Sequence, residues 1–284
     1  MTYPTDRPAV WFVTGASRGL GLALVKHLLG RGDQVAATTR SSERLLAGLD
    51  GVETMNLLAL EVSLTDETQV SDAITTATEE FGRIDVVVNN AGYGILGAVE
   101  ETSTDDIRAM FDVQLIGTWN VIRTVLPHMR AAGSGHIINV SSIVGLLAFP
   151  GWGLYSAAKF AIEGLSESLA AEVAGFGIGV TVVEPGYFDT AFLTDESLVL
   201  TDHLSDAYPA IREMIAAHRE MPGTQPGDPA KAAAAFVTIA QRGSGPLNQQ
   251  LGSDSSSLAE SKADSLKADV IAGRELAHST DYVR

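Results

Sequence analysis

Thr14-Gly15-Ala16-Ser17-Arg18-Gly19-Leu20-Gly21 follows a short apolar run over residues 9–14 and precedes a segment of helical composition that continues to about Leu29. Glycines at such a junction let the backbone turn sharply and approach a pyrophosphate, and the free N–H groups of a helix N-terminus attract negative charge. The stretch predicts a strand, a phosphate-binding turn and a helix. A tight turn that binds nothing is the alternative, but the motif follows the first strand, which favours phosphate binding.

Apolar, β-branched runs alternate with segments of helical period along most of the chain. The predicted strands are 9–14, 34–39, 53–60, 84–89, 136–141, 180–184 and 247–251. The predicted helices include one that opens at 65–67 and stops near Gly82, followed by 105–131, 152–174 and 228–241. Strands that alternate with helices form a parallel sheet covered on both faces. The fold class is therefore α/β.

Two regions depart from this alternation. Residues 187–228 show no clear strand and mix aromatic and apolar residues with turn formers, so we expect a loop-and-helix insertion that covers a substrate. In the tail, 253–284, apolar residues recur at a helical spacing, which predicts a peripheral amphipathic helix. We expect one domain over residues 1–284, with the insertion and the tail as additions to it.

The composition excludes several classes of protein. The chain of 284 residues carries a formal charge of −16, which repels nucleic acid and anionic membranes, and it has no cysteine for disulfides or thiolate metal sites. The six histidines lack metal-binding spacings, so no metal site is predicted. Neither a secretory signal nor an apolar run of about 18 residues is visible. We expect a soluble, cytoplasmic protein without nucleic-acid or membrane partners.

The end of the second predicted strand bears on the choice of nucleotide. An NAD-binding protein of this topology usually carries an acidic residue there for the ribose 2′-hydroxyl, whereas this chain has Arg40. A guanidinium at this place, together with Arg18 in the glycine turn, would pair with a 2′-phosphate. The pair predicts NADP(H), and the alternative is two solvated surface charges.

A second group of polar residues lies near the fifth predicted strand. Tyr155 and Lys159 are four residues apart and share one helical face, and the preceding strand ends at Ser141-Ser142. Because hydroxyls at the carboxyl end of a parallel strand can reach a ligand beside the sheet, we expect these side chains to converge.

With these motifs the sequence resembles the short-chain dehydrogenase/reductase family over about residues 9–190. The motifs are Thr14-Gly15-x3-Gly19-x-Gly21, Asn89-Asn90-Ala91-Gly92, Ser142, Tyr155-x3-Lys159 and Pro185-Gly186. The resemblance implies a three-layer, Rossmann-type doubly wound sheet of seven parallel strands in the order 3-2-1-4-5-6-7. It also implies nicotinamide-dependent oxidoreduction of an alcohol/carbonyl pair.

The resemblance further implies roles for individual residues. Tyr155 would be the catalytic acid/base, Ser142 would hold the substrate oxygen, and Lys159 would bind the nicotinamide ribose. We expect the Lys159 ammonium also to lower the pKa of the Tyr155 phenol. Cofactor contacts are expected from Gly15, Ser17, Arg18, Gly19, Leu20, Gly21, Arg40, Glu61, Val62, Asn89, Ala91, Gly92, Tyr155, Lys159, Pro185, Gly186, Phe188 and Thr190.

One position departs from the family pattern. Gln114 stands where the family usually has an asparagine that helps hold a water between the lysine and bulk solvent. Glutamine keeps the same donor and acceptor with one more methylene, so it either keeps this proton relay with a shifted water or loses it. We include Gln114 among the candidate catalytic residues.

The substrate is expected to be apolar. Residues that would gather around Tyr155 in this fold are Leu147, Phe149, Trp152, Tyr187, Phe192 and Leu193. Such a lining favours a hydrophobic ketone or aldehyde, of steroid-like or polyketide-like shape, although core packing and an oligomer contact would need the same residues. By analogy with the family we expect a homodimer or homotetramer formed through helices 105–131 and 152–174.

These features predict an NADP(H)-dependent carbonyl reductase or alcohol dehydrogenase. An epimerase or dehydratase of the same fold is a second candidate, but that group usually has Gly-x2-Gly-x2-Gly in the first turn. A module that senses NADP(H) without turnover is a third, and it would not need Ser142, Tyr155 and Lys159 together.

Overall fold

The computed structural model describes residues 3–243 and 245–282. Its strands, in chain order, are β1 (Val10–Val13), β2 (Gln34–Thr39), β3 (Leu57–Glu61), β4 (Val86–Asn89), β5 (Gly94–Leu96), β6 (Gly135–Val140), β7 (Ile178–Pro185), β8 (Leu198–Leu200) and β9 (Asn248–Leu251). The helices are α1 (Gly19–Gly30), α2 (Ser42–Gly48), α3 (Glu67–Phe81), α4 (Thr104–Phe111), α5 (Gly117–Ala132), α6 (Gly153–Val173), α7 (Pro209–Glu220), α8 (Pro229–Arg242), α9 (Ser253–Ala272) and α10 (Arg274–His278).

The main sheet has seven parallel strands in the order β3-β2-β1-β4-β6-β7-β9. Counted along this sheet alone, that is the order 3-2-1-4-5-6-7 expected from the sequence, so the Rossmann-type fold is confirmed. The strand order reverses beside β1, whose Val13 pairs with Ala37 of β2 on one side and Val88 of β4 on the other. Ligands of open α/β sheets bind at this switch point, outside the carboxyl ends of the strands.

Helices cover both faces of the sheet because the strands are apolar on both. In β1, Trp11 and Val13 face the layer formed by α1, α2 and α8, whereas Phe12 faces the layer formed by α3, α5 and α6. All three side chains are fully buried. Asp66 caps α3 by accepting from the N–H groups of Thr68 and Gln69, as expected for a helix that opens there.

The structure departs from the sequence expectations at two elements of the main domain. The third strand begins at Leu57 rather than at residue 53, because the Leu57 N–H donates to Thr54 O at 3.0 Å and closes a turn. The helix expected over 105–131 is divided by one π-helical turn, Asp112–Ile116, between α4 and α5. This turn directs the Gln114 side chain into the interior.

The expectation of no strand in the insertion was wrong. β8 pairs in parallel with β5, which follows the end of β4, and forms a two-stranded ribbon. Each strand has only three residues, too few to show an alternating pattern, and the two are distant in sequence. Besides the apolar layers on the two faces of the sheet, the ribbon, α7 and the first turns of α6 enclose a third apolar cluster at the carboxyl edge of the main sheet. Its buried members include Ile95, Leu96, Trp152, Tyr155, Leu193, Leu198, Ile211 and Ile215.

The tail is helical, as expected, but its apolar residues are not buried as a stripe. Ser255 is buried at the start of α9, and Leu258 packs against the third apolar cluster. Farther along, Leu266, Val270 and Ile271 are more than half exposed. Only the first turns of α9 therefore contribute to the domain.

Candidate active site

The glycine turn lies against the loop that follows β4. The Thr14 hydroxyl accepts from the N–H groups of Asn90 (3.0 Å) and Ala91 (3.1 Å), and Asn90 Nδ2 donates to the Thr14 and Gly15 carbonyls. Gly15 has a φ of +66°, and a Cβ there would lie 2.7 Å from Ala91 Cα. The turn is thus closed by backbone contacts that leave no room for a side chain.

The amino end of α1 fits a phosphate group. Arg18, which precedes the helix, makes no side-chain hydrogen bond to the first-turn N–H groups. Ser17 and Leu20 are half-buried beside it. Uncapped N–H groups at a helix start, with the dipole behind them, attract anions. Thr190 faces this turn, because a Cβ on Gly19 would lie 3.7 Å from Thr190 Cβ.

Three arginines gather beside the turn. Burial lowers the pKa of the Arg18 guanidinium, and the nearby Arg40 and Arg44 charges lower it further. The sequence analysis missed Arg44, which lies on α2. Its position four residues after Arg40 could have indicated a second arginine at the same place. The Glu196 carboxylate pairs with Arg44 and lies 3.9 Å from Arg18 Nη1, so this place already receives a negative group.

Three of the expected cofactor contacts have other partners in the structure. Glu61 accepts from the N–H (2.8 Å) and the hydroxyl (2.9 Å) of Ser42, and these hydrogen bonds lower the pKa of its carboxyl. Val62 is buried in the apolar core. Asn89 donates to Asn139 Oδ1 at 2.8 Å and so connects β4 with β6. The cofactor contacts of these residues remain predictions.

Ser142, Tyr155 and Lys159 converge beyond the end of β6. Tyr155 and Lys159 are buried one turn apart on α6, and Lys159 Nζ lies 5.4 Å from the Tyr155 ring centroid. Nζ donates to Val140 O at 2.9 Å. Ser142 accepts from the Val144 N–H at 3.4 Å and hydrogen-bonds the Tyr155 side chain.

Burial dominates the titration of these groups. It raises the pKa of the Tyr155 phenol, and the hydrogen bond with Ser142 only partly offsets this effect. The expected lowering of that pKa is therefore not found in the protein chain by itself, because desolvation disfavours the phenolate. Burial also lowers the pKa of Lys159 to about 8, with the Glu163 charge acting in the opposite direction.

Gln114 is buried near this group. Its Nε2 donates to Tyr93 O at 2.9 Å and contacts Met110 Sδ, while Thr118 Oγ1 donates to the Gln114 carbonyl at 2.7 Å. Its Oε1 has no hydrogen-bond partner within 3–243 and 245–282 and faces Gly92, where a Cβ would lie 3.1 Å away. The amide thus ties the π-helical turn to the loop after β4, and the relay remains a prediction.

The segment after β7 is held by the C-terminal part of the chain. The Gly186 N–H donates to Leu251 O at 2.9 Å, and the Tyr187 N–H donates to Asp254 Oδ2 at 2.8 Å. Asp254 packs so closely on Gly186 that a Cβ there would overlap its carboxylate. Pro185 ends β7, and Phe188 forms an isolated bridge with Gly227 that closes the base of the insertion.

Aromatic rings surround Tyr155. The ring centroids of Trp152 and Phe192 lie 5.5 and 5.6 Å from that of Tyr155. His218 of α7 lies 5.3 Å from Trp152, and its Nε2 accepts from the Tyr187 hydroxyl at 2.8 Å while its Nδ1 donates to Met214 O. The sequence analysis considered His218 only as a possible metal ligand. Its contact with Tyr187 was not predicted, because the two residues are 31 positions apart in the chain.

The other residues of the expected pocket differ in position. Leu193 is buried in the third apolar cluster and Leu147 is half-buried against it. Phe149 is 39% exposed. Five of the six expected lining residues therefore pack in or against the cluster that contains Tyr155, and Phe149 lies at its margin.

The comparisons with known proteins agree with this architecture. The model of the short chain dehydrogenase family matches residues 9–198. The chain belongs to the short-chain dehydrogenase family. It is 40% identical over 270 residues to oxidoreductase BOA17 of Botryotinia fuckeliana, covering 94% of this chain and 97% of the relative. As the motifs predicted, this short-chain dehydrogenase is an oxidoreductase with a Rossmann-type fold.

Solved structures of the family are similar to it. A short-chain dehydrogenase from Streptomyces avermitilis has a TM-score of 0.88 and 36% identity, with 97% of this chain and 100% of that chain covered. One from Burkholderia cenocepacia, in complex with NADP, has a TM-score of 0.73 and 27% identity, with 93% and 97% covered.

Within 3–243 and 245–282, no helix has the length and apolar character needed to cross a membrane. In the same ranges, no group of three or more His, Asp or Glu side chains is placed to hold a metal ion.

An ion pair with a buried carboxylate anchors the insertion to the segment after β5. Arg212 of α7 donates to both carboxylate oxygens of Glu101 at 2.5 Å, and the Ser205 and Ala98 N–H groups also donate to that carboxylate. The Arg212 guanidinium, aided by these N–H groups and opposed by burial, lowers the pKa of Glu101 to about 2. The attraction is therefore complete above pH 4.5 and is lost only as the pH falls towards 2.

We expect Glu101→Gln to loosen the insertion at neutral pH, because an amide removes the charge that Arg212 needs. Amide exchange in α7, followed by mass spectrometry at pH 7, should accelerate about tenfold or more, as for loss of a hydrogen bond to a charged group. Glu213→Gln, at an exposed position of the same helix, is the control. Equal exchange in the two variants would contradict the anchoring role.

Proposed function

We propose that this short-chain dehydrogenase is an NADP(H)-dependent reductase of hydrophobic ketones or aldehydes, working also in the reverse direction on the alcohols. The observation that carries the proposal is the convergence of Ser142, Tyr155 and Lys159 beside an apolar cluster. Reduction of a carbonyl develops an alkoxide, which needs a proton and a hydrogen-bond donor. A module that only senses the nucleotide would leave this set without a task, and the spacing Gly15-x3-Gly19-x-Gly21 disfavours an epimerase or dehydratase of the same fold.

Each of the three residues has a different role in the proposed reaction. Tyr155, kept protonated by burial, donates its proton to the developing alkoxide. Ser142, whose oxygen accepts from the Val144 N–H and whose hydroxyl interacts with Tyr155, would turn its proton to the substrate oxygen. Lys159 presents a buried ammonium beside the phenol and stabilises the phenolate left after proton transfer. A bound nicotinamide cofactor supplies the hydride.

The choice of NADP(H) is supported by the arginines. The uncapped start of α1 would hold the pyrophosphate, and Arg18, Arg40 and Arg44 would surround the 2′-phosphate. The present pairing of Arg44 with Glu196 supports the idea that this place accepts a negative group. Thr190, opposite Gly19, would contact the nicotinamide end.

The substrate class is supported by the pocket lining. Trp152 and Phe192 pack against the Tyr155 ring, Leu193 lies in the same apolar cluster, and the Tyr187–His218 pair adds a polar contact beside Trp152. Such a lining favours a bulky apolar carbonyl compound over a small hydrophilic one.

Replacing Tyr155 by Phe should lower kcat by about 10²–10⁴-fold, since it removes the proton donor, and leave NADPH binding nearly unchanged. The measurement is NADPH consumption over ketones from small diketones to bulky aromatic and steroid-like compounds. Tyr282→Phe, at a position that is 93% exposed, is the matched control. Equal turnover in Tyr155→Phe and the wild type would refute the assignment.

Changing Arg40 to Asp should raise the Kd of NADPH by about 10–100-fold, because it replaces a charged partner of the 2′-phosphate with a repelling one, and should change the Kd of NADH little. Fluorescence titration with each nucleotide measures both constants. Arg108→Asp, an exposed change on α4, controls for net charge. An unchanged ratio of the two constants would mean that the 2′-phosphate is read elsewhere.

The oligomer is proposed to form through α5 and α6. Trp119 and Phe160, on these helices, and Ile116 just before α5 are each close to half exposed, which is unusual for large apolar side chains. We expect sedimentation velocity to give a dimer or tetramer, and Trp119→Glu to shift it towards the monomer. A monomeric wild type would contradict the proposal.

A further inference from the structure

Two carboxyl groups, one partly and one fully buried, lie on the side of Lys159 away from Tyr155. Glu163 follows Lys159 by one turn of α6, and Glu184 is fully buried near the end of β7. A single amide group joins them, because Asn248 Nδ2 donates to Glu163 Oε2 at 3.0 Å and to Glu184 Oε1 at 2.5 Å. Gln250 Nε2 donates to the other oxygen of Glu184 at 2.5 Å.

A structural role does not account for all of this arrangement. Asn248 and Gln250 fasten β9 to β7, and one carboxyl would suffice for that. Glu163 Oε1 is shielded from solvent and has no hydrogen-bond partner within the ranges that the structure describes. A buried oxygen of this kind is costly unless the group has another task.

The free oxygen lies towards the catalytic end of β6. A Cβ on Gly145 would lie 2.8 Å from Glu163 Oε1 and would overlap Ser141 Oγ, so the glycine keeps this space open. Ser141 Oγ donates to the Lys159 carbonyl at 3.5 Å, and Ser141 directly follows Val140, whose carbonyl accepts from Lys159 Nζ. The free oxygen of Glu163 and the Lys159 side chain therefore both lie at this end of β6, one turn apart on α6.

The charges of these groups are coupled. Burial, reinforced by the Glu184 charge, raises the pKa of Glu163 to about 7, while Ser141, Lys159 and Asn248 oppose the rise. Burial also raises the pKa of Glu184, and its two amide partners oppose that rise. Lys159 is the cationic side chain coupled to Glu163, and burial alone would bring its pKa down into the working range of an enzyme.

We propose that Glu163 is a positioning residue that holds Lys159 in its ammonium form while the enzyme works, with Glu184 and the β9 amides fixing the carboxyl in place. The proposal rests on the proposed function only in that Lys159 is taken to act on Tyr155. An ionised Glu163 attracts the proton on Lys159 Nζ, and an uncharged one lets it go at lower pH. The groups that face Glu163 are Ser141, Lys159, Glu184 and Asn248.

The first test needs no catalysis. The chain has five lysines, and NMR of ¹³C,¹⁵N-lysine-labelled protein without nucleotide follows each side chain through a pH titration. Lys159→Arg identifies the Lys159 signal by its loss. We expect Glu163→Gln to lower the pKa of Lys159 by about one unit, as removal of a nearby opposite charge does. Glu167→Gln, exposed on the same helix, should leave it unchanged.

The second test measures kcat/KM against pH. The basic limb should move to lower pH by about the same amount in Glu163→Gln, with kcat changed more than KM, and Glu163→Asp should restore most of it. A residue that only supports packing would lower activity equally at every pH. Thermal unfolding shows whether each variant is folded, and Glu163→Asp replaces Glu163→Gln in both tests if the latter is not.

The outcomes separate the two proposals. An unchanged pKa of Lys159 in folded Glu163→Gln overturns the role of Glu163, whatever the enzyme's activity. A lowered pKa of Lys159 with an unmoved pH profile supports the coupling and instead overturns the role given to Lys159 in the reaction. A lowered pKa together with a moved profile supports both.

Discussion

The buried ammonium of Lys159 is the constraint around which the site is organised. A charge with 4% exposure must be stabilised inside the protein; Lys159 Nζ contacts the Val140 carbonyl at the end of β6 and lies over the Tyr155 ring, and the Glu163 charge acts on it from one turn away. These contacts fix α6 against the sheet edge, and Tyr155, on the same helical face, is fixed with it. The position of the phenol is therefore a consequence of how the lysine is satisfied.

The remainder of the site is built by segments that close over this centre. β7 and β9 bring together Glu184, Asn248 and Gln250, which lie on the Glu163 side of the lysine. From α7, His218 contacts Tyr187 and Arg212 pairs with Glu101. The insertion is held by the Glu101–Arg212 pair on one side and by the short β5–β8 ribbon on the other. The apolar surroundings of Tyr155 are thus built partly by segments of the chain that lie outside the motifs of the family.

Local rules explain why the main elements could be predicted. The apolar runs of β1, β4 and β6 are buried on both faces, and Asp66 and Gly82 bound α3 as capping preferences require. Each motif of the site lies within one helix or at the end of one strand, so its spacing can be read locally. These motifs are the glycine turn, Ser142 and the pair Tyr155 and Lys159. Local rules did not predict β8, because a three-residue strand has no pattern of its own until β5 lies beside it.

The sequence by itself determined the α/β fold, the strand order through the family motifs, and the identities of the hydroxyl, phenol and amine groups of the candidate site. Only the tertiary structure decided which charges act on them. The Arg44 charge acts on Arg18, Asn248 donates to both Glu163 and Glu184, and His218 accepts a hydrogen bond from the Tyr187 hydroxyl. Each of these interactions joins separate elements. Such pairings depend on burial and on distances between segments far apart in the chain, which no local spacing encodes.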